Sequence, residues 1–549
     1  MASVAVMAAP SLAATVIPGP ADASRVEQRA PNITPSPALE PASKPMHVLP
    51  NEQPPEASKK VILTLHEVRI QGMTVFTPAQ VEDIYKPFLD HVITLDTAWV
   101  IAEKITERYR DQGYFLTFVT VPAQEVKNGV LTLAVTEGYI GKVTLDDGLA
   151  ERRVVKSWMA RLQSYRPLKS DQLESVLLQL NDLPGVSLRA VLEPLPGAKD
   201  GAVKLTLVPE KTQGHGQVSV DNNGSRFLGP YEMSAQYATA LLPLQETSVS
   251  LMTTLPMDEL QYGSLHHEIA LFPALNLELY GGDTYANPGY KLKVQDIKSD
   301  SISLGVGVNY KIIRQRQENL TARLALESRD TTSDILGTPL TRDYIRAARA
   351  KLSYETADRW NGSDSAFFTL SQGLNIDGAS QKGDLNLSRA EATPDFTKVE
   401  LQLARLQPLS DSWNLATSFS GQTASGPLYS SEEFGYGGQA FGRAYDDSEI
   451  SGDQGIAGSA ELSYWGLPTY DGFAATPYSF YDIGTVWNFD RGQAPEASGS
   501  SAGGGVRWNS EFGISGNLGF AFPLTRAVAN PLQGNGKDPR YIMQLSYGF

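Results

Sequence analysis

Apolar residues recur along this chain with two different periods, and the change from one to the other falls near residue 213. Before it, residues 61–71 alternate with β-branched positions and predict a strand. Residues 77–89 and 95–112 repeat near 3.6 and predict helices, and 116–121 and 130–135 predict two further strands. In the second helix Leu95, Ala98, Ala102, Ile105 and Tyr109 fall at steps of three and four, a stripe suited to covering a small sheet. Gly113 stands just past its end, where a left-handed residue stops a helix. The order then repeats: strand 139–145, helices 151–162 and 170–183 ended by Pro184-Gly185, strands 186–193 and 202–208. The matching stripe is Leu173, Val176, Leu177, Leu180 and Leu183. Two tandem units with one element order predict a pair of α+β modules, at 61–138 and 139–212.

From Gly214 onward the segments are short, alternate strictly, and are separated by Gly, Asn, Asp, Ser and Pro. Ile302, Leu304, Val306, Val308 and Tyr310 face one way, and Ser303, Gly305, Gly307 and Asn309 the other. The last segment sets Tyr541, Met543, Leu545, Tyr547 and Phe549 against Ile542, Gln544, Ser546 and Gly548. One such strand would suit a soluble sandwich. About 16 of them between residues 214 and 549 predict an all-β transmembrane barrel of antiparallel strands. Tyr354, Tyr464, Trp487, Trp508 and Tyr541 then suit interfacial girdles, and Arg349 and Glu461 a polar lumen.

Composition narrows the alternatives. No run of 18 or more apolar residues occurs, so a membrane helix is not predicted, and a closed barrel is the other way to satisfy backbone polar groups in lipid. The excess of acidic over basic residues, 61 against 46, gives a net charge of −15 and argues against nucleic acid as a partner. Cysteine is absent, which removes disulfides and thiolate metal sites. Residues 1–14 are apolar and end in Ser11-Leu12-Ala13-Ala14, resembling an export signal that lacks its basic leader. Residues 15–60, rich in Pro, Ala, Ser and Glu, predict an extended linker. His266-His267-Glu268 is a poor metal site, because adjacent strand residues face opposite sides. Neither a nucleophile elbow nor a phosphate-cradling loop is present, so no enzyme activity, metal or cofactor is expected.

Four stretches carry a resemblance. They are Tyr109-Arg110-Asp111-Gln112-Gly113-Tyr114, Leu180-Asn181-Asp182-Leu183-Pro184-Gly185-Val186, Asp221-Asn222-Asn223-Gly224-Ser225-Arg226-Phe227-Leu228-Gly229-Pro230, and Gly437-Gly438-Gln439-Ala440-Phe441-Gly442-Arg443-Ala444-Tyr445. With them the modules resemble POTRA domains. Residues 61–549 resemble the two-partner secretion transporters that export haemolysins and filamentous haemagglutinins, in the superfamily that includes BamA.

The resemblance implies an outer-membrane pore with its modules in the periplasm. The sixth extracellular loop, 426–455, would fold back inside the barrel with Arg443 and Tyr445 at its tip, Ala444 replacing the usual Gly. Phe480-Tyr481-Asp482-Ile483-Gly484 would be the matching strand motif. Asp482 would receive Arg443 on the face shared with Phe480 and Gly484, an Arg–carboxylate pair able to pin the loop. Residues 15–60 would be a linker or a plug region, and Tyr547 and Phe549 the carboxyl-terminal barrel signature. Implied partners are a secreted exoprotein with an amino-terminal secretion domain, a β-helical adhesin or toxin; outer-membrane lipid and lipopolysaccharide; and the barrel-assembly machinery. An insertase of the same superfamily and a passive porin or receptor are the competing readings. Insertases usually carry three to five modules, and a porin needs none.

Overall fold

A computed structural model of the chain describes residues 17–29, 53–145, 148–198, 201–210, 214–489, 494–532 and 534–549. In the first module two helices, Pro78–Tyr85 and Thr97–Asp111, cover a three-stranded sheet. Val130–Thr136 is its centre, parallel to Glu67–Gln71 and antiparallel to Phe118–Thr120. The region 61–71 is not one strand as expected. It divides into Ile62–Leu65 and Glu67–Gln71, and the first part pairs with His91–Thr94, a strand the pattern did not predict. The break is at His66: its amide and that of Glu67 both turn to the Gly129 carbonyl, at 2.8 and 3.2 Å, so the chain bends and each half serves a different sheet. Ala98, Ala102, Ile105 and Tyr109 are buried as the stripe predicts, joined by Ile101; Leu95 precedes the helix and is only partly buried. Gly113 is left-handed, with φ +88°.

The second module repeats the plan. Arg153–Ser164 and Ser170–Asn181 lie over a sheet whose centre, Ala202–Pro209, runs parallel to Tyr139–Leu145 and antiparallel to Leu188–Pro194. Its core joins Trp158 to Leu173, Val176, Leu180 and Leu183. Phe115 and Leu116, which precede it in sequence, are buried in the same core, and the Ser170 amide donates to the Gly113 carbonyl at 2.9 Å. The two modules therefore share an interior.

Sixteen antiparallel strands close the barrel, from His215–Asp221 to Arg540–Gly548. The first follows the second module, so its start marks the periplasmic end. Leu304 and Leu324 are 62% and 61% exposed on the outer wall, while their neighbours Ser303 and Arg323 point inward to Glu27 and Glu278. An apolar wall around a charged interior is what a lipid-spanning barrel requires. Among the described residues no helix is long and apolar enough to cross a membrane.

The second module is clamped to the barrel's periplasmic turns. Asp182 accepts from Arg314 Nε and Nη2 at 2.6 and 3.0 Å, and Lys311 Nζ lies 3.1 Å away. Burial pushes the Asp182 carboxyl up, but Arg314 and Lys311 outweigh it and hold the group below its ordinary value. Arg316 pairs with Glu174, and Leu244 and Ala270 of the barrel join the module's core.

At the opposite end, residues 17–29, part of the stretch 15–60 expected to be a linker or a plug region, lie inside the barrel. Two short 3-10 turns, Gly19–Ala21 and Ala23–Arg25, lead into a single helical turn, Val26–Arg29. The side chains are small enough to lie flat: Ala23 and Val26 pack on Met252, Leu260, Tyr262 and Ala286 near the extracellular strand ends. Residues 1–14, with the predicted export signal, and 30–52 of the predicted linker lie outside the described residues.

Candidate functional site in the barrel lumen

The segment between the eleventh and twelfth strands, Trp413–Ala424 and Gln454–Tyr464, is the sixth extracellular connection. It turns inward as a ribbon, Phe434–Tyr436 paired with Ile450–Gly452. Phe434, Tyr436, Tyr445 and Ile450 bury themselves against Ala457, Phe480 and Val486 of the wall, which gives the loop its own apolar anchor. The tip turns on left-handed glycines, Gly437 at φ +127° and Gly442 at φ +81°. The left-handed position thus falls on Gly442, and Ala444 in place of the usual Gly is accommodated and buried.

The structure brings Arg443 and Asp482 together. Asp482 has no solvent exposure. It accepts Arg443 Nη2 at 2.9 Å and Nε at 3.2 Å, with the loop's own amides of Gly442 and Arg443 at 3.2 and 3.0 Å. The hydroxyls of Ser459 and Ser501 complete its shell at 2.7 and 3.1 Å. One carboxylate so satisfies both the side chain and the backbone of the tip, a forked, charge-assisted contact in a dehydrated place. Arg443 also reaches Glu461 at 2.6 Å and lies 3.5 Å above the Phe480 ring centroid, adding a cation–π contact.

Gly484 leaves the space that the loop fills: a Cβ there would lie 2.2 Å from Tyr436 Cδ2. The Tyr445 hydroxyl lies 3.0 and 2.9 Å from the carbonyl oxygens of Ser500 and Arg526.

A second set of contacts holds the base of the loop, and sequence reading missed all of it except Arg349. Glu432 pairs with Arg349 at 2.6 Å and Lys398 at 2.9 Å. Glu433 pairs with Arg25 of the amino-terminal segment at 2.5 Å and with Arg389 at 2.9 Å, and Arg389 is forked onto Asp453. Ser430 Oγ donates to Asp22 at 2.7 Å. The adjacent acids Glu432 and Glu433 were the available signal, since two charges beside an apolar ribbon need buried partners. Their partners lie on strands and loops too distant in sequence to pair by pattern.

The other predicted residues have structural surroundings. Tyr109 is buried, and its hydroxyl donates to Glu137 at 2.7 Å. Tyr114 packs edge-on against it. Leu180 and Pro184 are buried, and Gly185, at φ +69°, meets the barrel so closely that a Cβ would lie 2.3 Å from Ala240 Cβ. Tyr547 and Phe549 lie on the outer wall, with the Phe549 backbone bonded to Gly216 at 2.8 and 3.0 Å. His266 and His267 turn to different partners, Glu278 and Thr247, and the described residues contain no cluster of three metal-ligating side chains.

A sixteen-stranded lipid-facing barrel, two small modules at its periplasmic end and a loop drawn into its lumen define a class: outer-membrane transporters that carry a periplasmic arm. Residues 201–506 match the profile described as haemolysin secretion/activation protein ShlB/FhaC/HecB, and residues 63–138 match the ShlB-type POTRA domain. The chain belongs to the haemolysin secretion/activation family. It is 24% identical over 476 residues to the heme/hemopexin transporter protein HuxB of Haemophilus influenzae, covering 82% of this chain and 80% of HuxB. The outer membrane transporter CdiB of Dickeya dadantii is 24% identical over 469 residues, with 82% and 81% covered. In fold it is similar to CdiB from Escherichia coli, with a TM-score of 0.67 at 17% identity, covering 95% of this chain and 94% of that one. It is also similar to a BamA from Haemophilus ducreyi lacking POTRA domains 1–3, with a TM-score of 0.56 at 12% identity, covering 89% and 100%. The protein is thus a two-partner secretion transporter of the outer membrane, with its POTRA domains in the periplasm.

Proposed function

We propose that this transporter receives one secreted exoprotein on its POTRA domains and conducts it through the lumen, and that the Arg443–Asp482 pair pins the sixth loop in its inward position. The cargo would be a large β-helical adhesin or toxin with an amino-terminal secretion domain; the likeness to HuxB adds a heme- or hemopexin-handling exoprotein to the candidates. Lipid and lipopolysaccharide would contact the outer wall, and the barrel-assembly machinery would insert it. In the first module each strand of the small sheet, Ile62–Leu65 and His91–Thr94, is paired along one edge only, and Ile62 and Val92 are exposed. A free edge can take up an extended chain by main-chain hydrogen bonds, which tolerates many sequences.

The observation that carries the pinning role is the sharing of one buried carboxylate by the guanidinium and two backbone amides of the tip. The test is secretion of the cognate exoprotein into the medium by cells carrying Arg443→Ala. Arg349 is an unsuitable reference, because it holds Glu432 at the base of the same loop. Arg405, paired with Asp358 and Asp364 near the periplasmic turns, serves instead. Secretion should fall at least tenfold in Arg443→Ala and stay near normal in Arg405→Ala; equal effects would reduce Arg443 to an ordinary lumen charge.

A further inference from the structure

The barrel closes where its first and last strands meet. Five residue pairs join them, Gln544↔Asp221 through Gly548↔Gln217, and backbone bonds of Gly216 with Phe549 and of Asn222 with Met543 extend the ladder at its two ends. The last strand begins at Arg540, so its extracellular end overhangs its neighbour, which stops at Asp221. Asn222 covers part of the overhang by acting as a substitute peptide group. Its Nδ2 donates to the Tyr541 carbonyl at 2.8 Å, its Oδ1 accepts the Met543 amide at 2.7 Å, and its own amide donates to the Met543 carbonyl at 3.1 Å.

Arg540 covers the rest, and it faces two ways. Its Nη2 points at the carbonyls of Asn222, Asn223 and Gly224, at 3.3, 3.1 and 3.1 Å, where the first strand ends. Its Nη1 donates to the Tyr445 carbonyl at 2.5 Å and lies 3.5 Å from Asp446 Oδ1, both in the sixth loop. Asp446 is buried and also binds Arg226 Nε at 2.6 Å, just beyond the first strand. Tyr445 is two residues from Arg443, so a tip that leaves Asp482 takes the Tyr445 carbonyl and the Asp446 carboxylate with it. The Arg540 guanidinium then keeps its charge and loses the Asp446 carboxylate, in a position where a poorly paired charge is costly.

We propose that Arg540 is a positioning residue that couples the barrel seam to the sixth loop. Seating the loop tip braces the junction of first and last strands, and withdrawing it loosens that junction. Coupling of this kind is reciprocal, so strain at the seam also weakens the loop's hold.

The test uses the full-length protein in lipid nanodiscs without cargo, so its result does not depend on how secretion works. Hydrogen exchange is followed at the seam amides of Val218, Val220, Leu545 and Tyr547 and at a distant pair, Leu304 and Leu326. Arg443→Ala should speed exchange at the seam at least tenfold and leave the distant pair unchanged. Arg540→Gln should do the same, and the double variant should be little faster than either alone, because both remove one connection. Arg540→Lys, which keeps the charge without the fork, should fall between wild type and Arg540→Gln. Where a variant inserts poorly, Ser219→Cys with Ser546→Cys gives a second measurement. These residues lie opposite each other across the seam in a chain without cysteine, and their disulfide should form more slowly when Arg443→Ala is added, because the loosened seam separates the thiols. Seam exchange and disulfide formation unaffected by Arg443→Ala, or effects of Arg443→Ala and Arg540→Gln that simply multiply, would overturn the coupling.

Discussion

Replacing Asp482 by Asn keeps the shape of the side chain and removes its charge. The carboxylate accepts six hydrogen bonds, from the two tip amides, two guanidinium nitrogens and two serine hydroxyls. Asn has one acceptor oxygen, and its amide group points donors at donors. Breaking a buried pair costs about 3–5 kcal/mol, and the lower end applies because Arg443 retains Glu461 at 2.6 Å. About 3 kcal/mol, at about 1.36 kcal/mol per decade, moves the balance between inward and released loop roughly 150-fold. The absence of cysteine makes this measurable: a single thiol at Gln439, exposed at the tip, is the sole target for a bulky maleimide added outside whole cells. Where labelling waits on release of the loop, its rate should rise by about two decades in Asp482→Asn. A rate within threefold of the parent would mean that Glu432 and Glu433 hold the loop unaided, and the pinning role would be withdrawn.

Gly484→Ala should raise the same labelling rate, because its Cβ would meet Tyr436 at 2.2 Å. Gly458→Ala, whose Cβ meets nothing closer than 3.7 Å, should not. Asp182→Asn should detach the second module from the barrel turns and cost about 2 kcal/mol or more, read as a broadened distance distribution between spin labels on module and barrel. In the first module burial raises the Glu137 pKa, but hydrogen bonds from Thr74, Tyr109 and Val75 outweigh it and hold the carboxyl below its ordinary value. Its contribution to stability is therefore complete above the usual glutamate range and is lost as pH falls through the lowered value. The urea concentration that unfolds that module, read by Trp99 fluorescence, should fall on acidification in the parent, and Glu137→Gln should flatten the dependence.

The sequence was most legible where one period runs uninterrupted. Alternation in 302–310 and in the last strand identified the outer wall, since a one-residue slip would put every apolar side chain in the lumen. The helical stripes did the same for both modules. The small sheet of the first module was hidden because His91–Thr94 is four residues long and sits between two helices. The pairing of Arg443 with Asp482 was accessible only through resemblance, because lumen charges on different strands carry no spacing. Arg25, Arg389 and Asp453 had no such guide: Arg25 lies in a segment whose composition suggests a linker, and the other two lie in extracellular connections. Ion pairs across a ring depend on where strands curl, and local pattern does not record that.

The shared interior of the periplasmic arm has a mechanical consequence. Phe115 and Leu116 anchor the first module in the second, and Leu244 and Ala270 carry the same apolar core into the barrel's turns. A pull on the outermost module is therefore transmitted as torque through packed side chains, as in a stiff lever. Cargo tugging on the arm would tilt the base of the barrel, and would do so before any part of it had entered the channel.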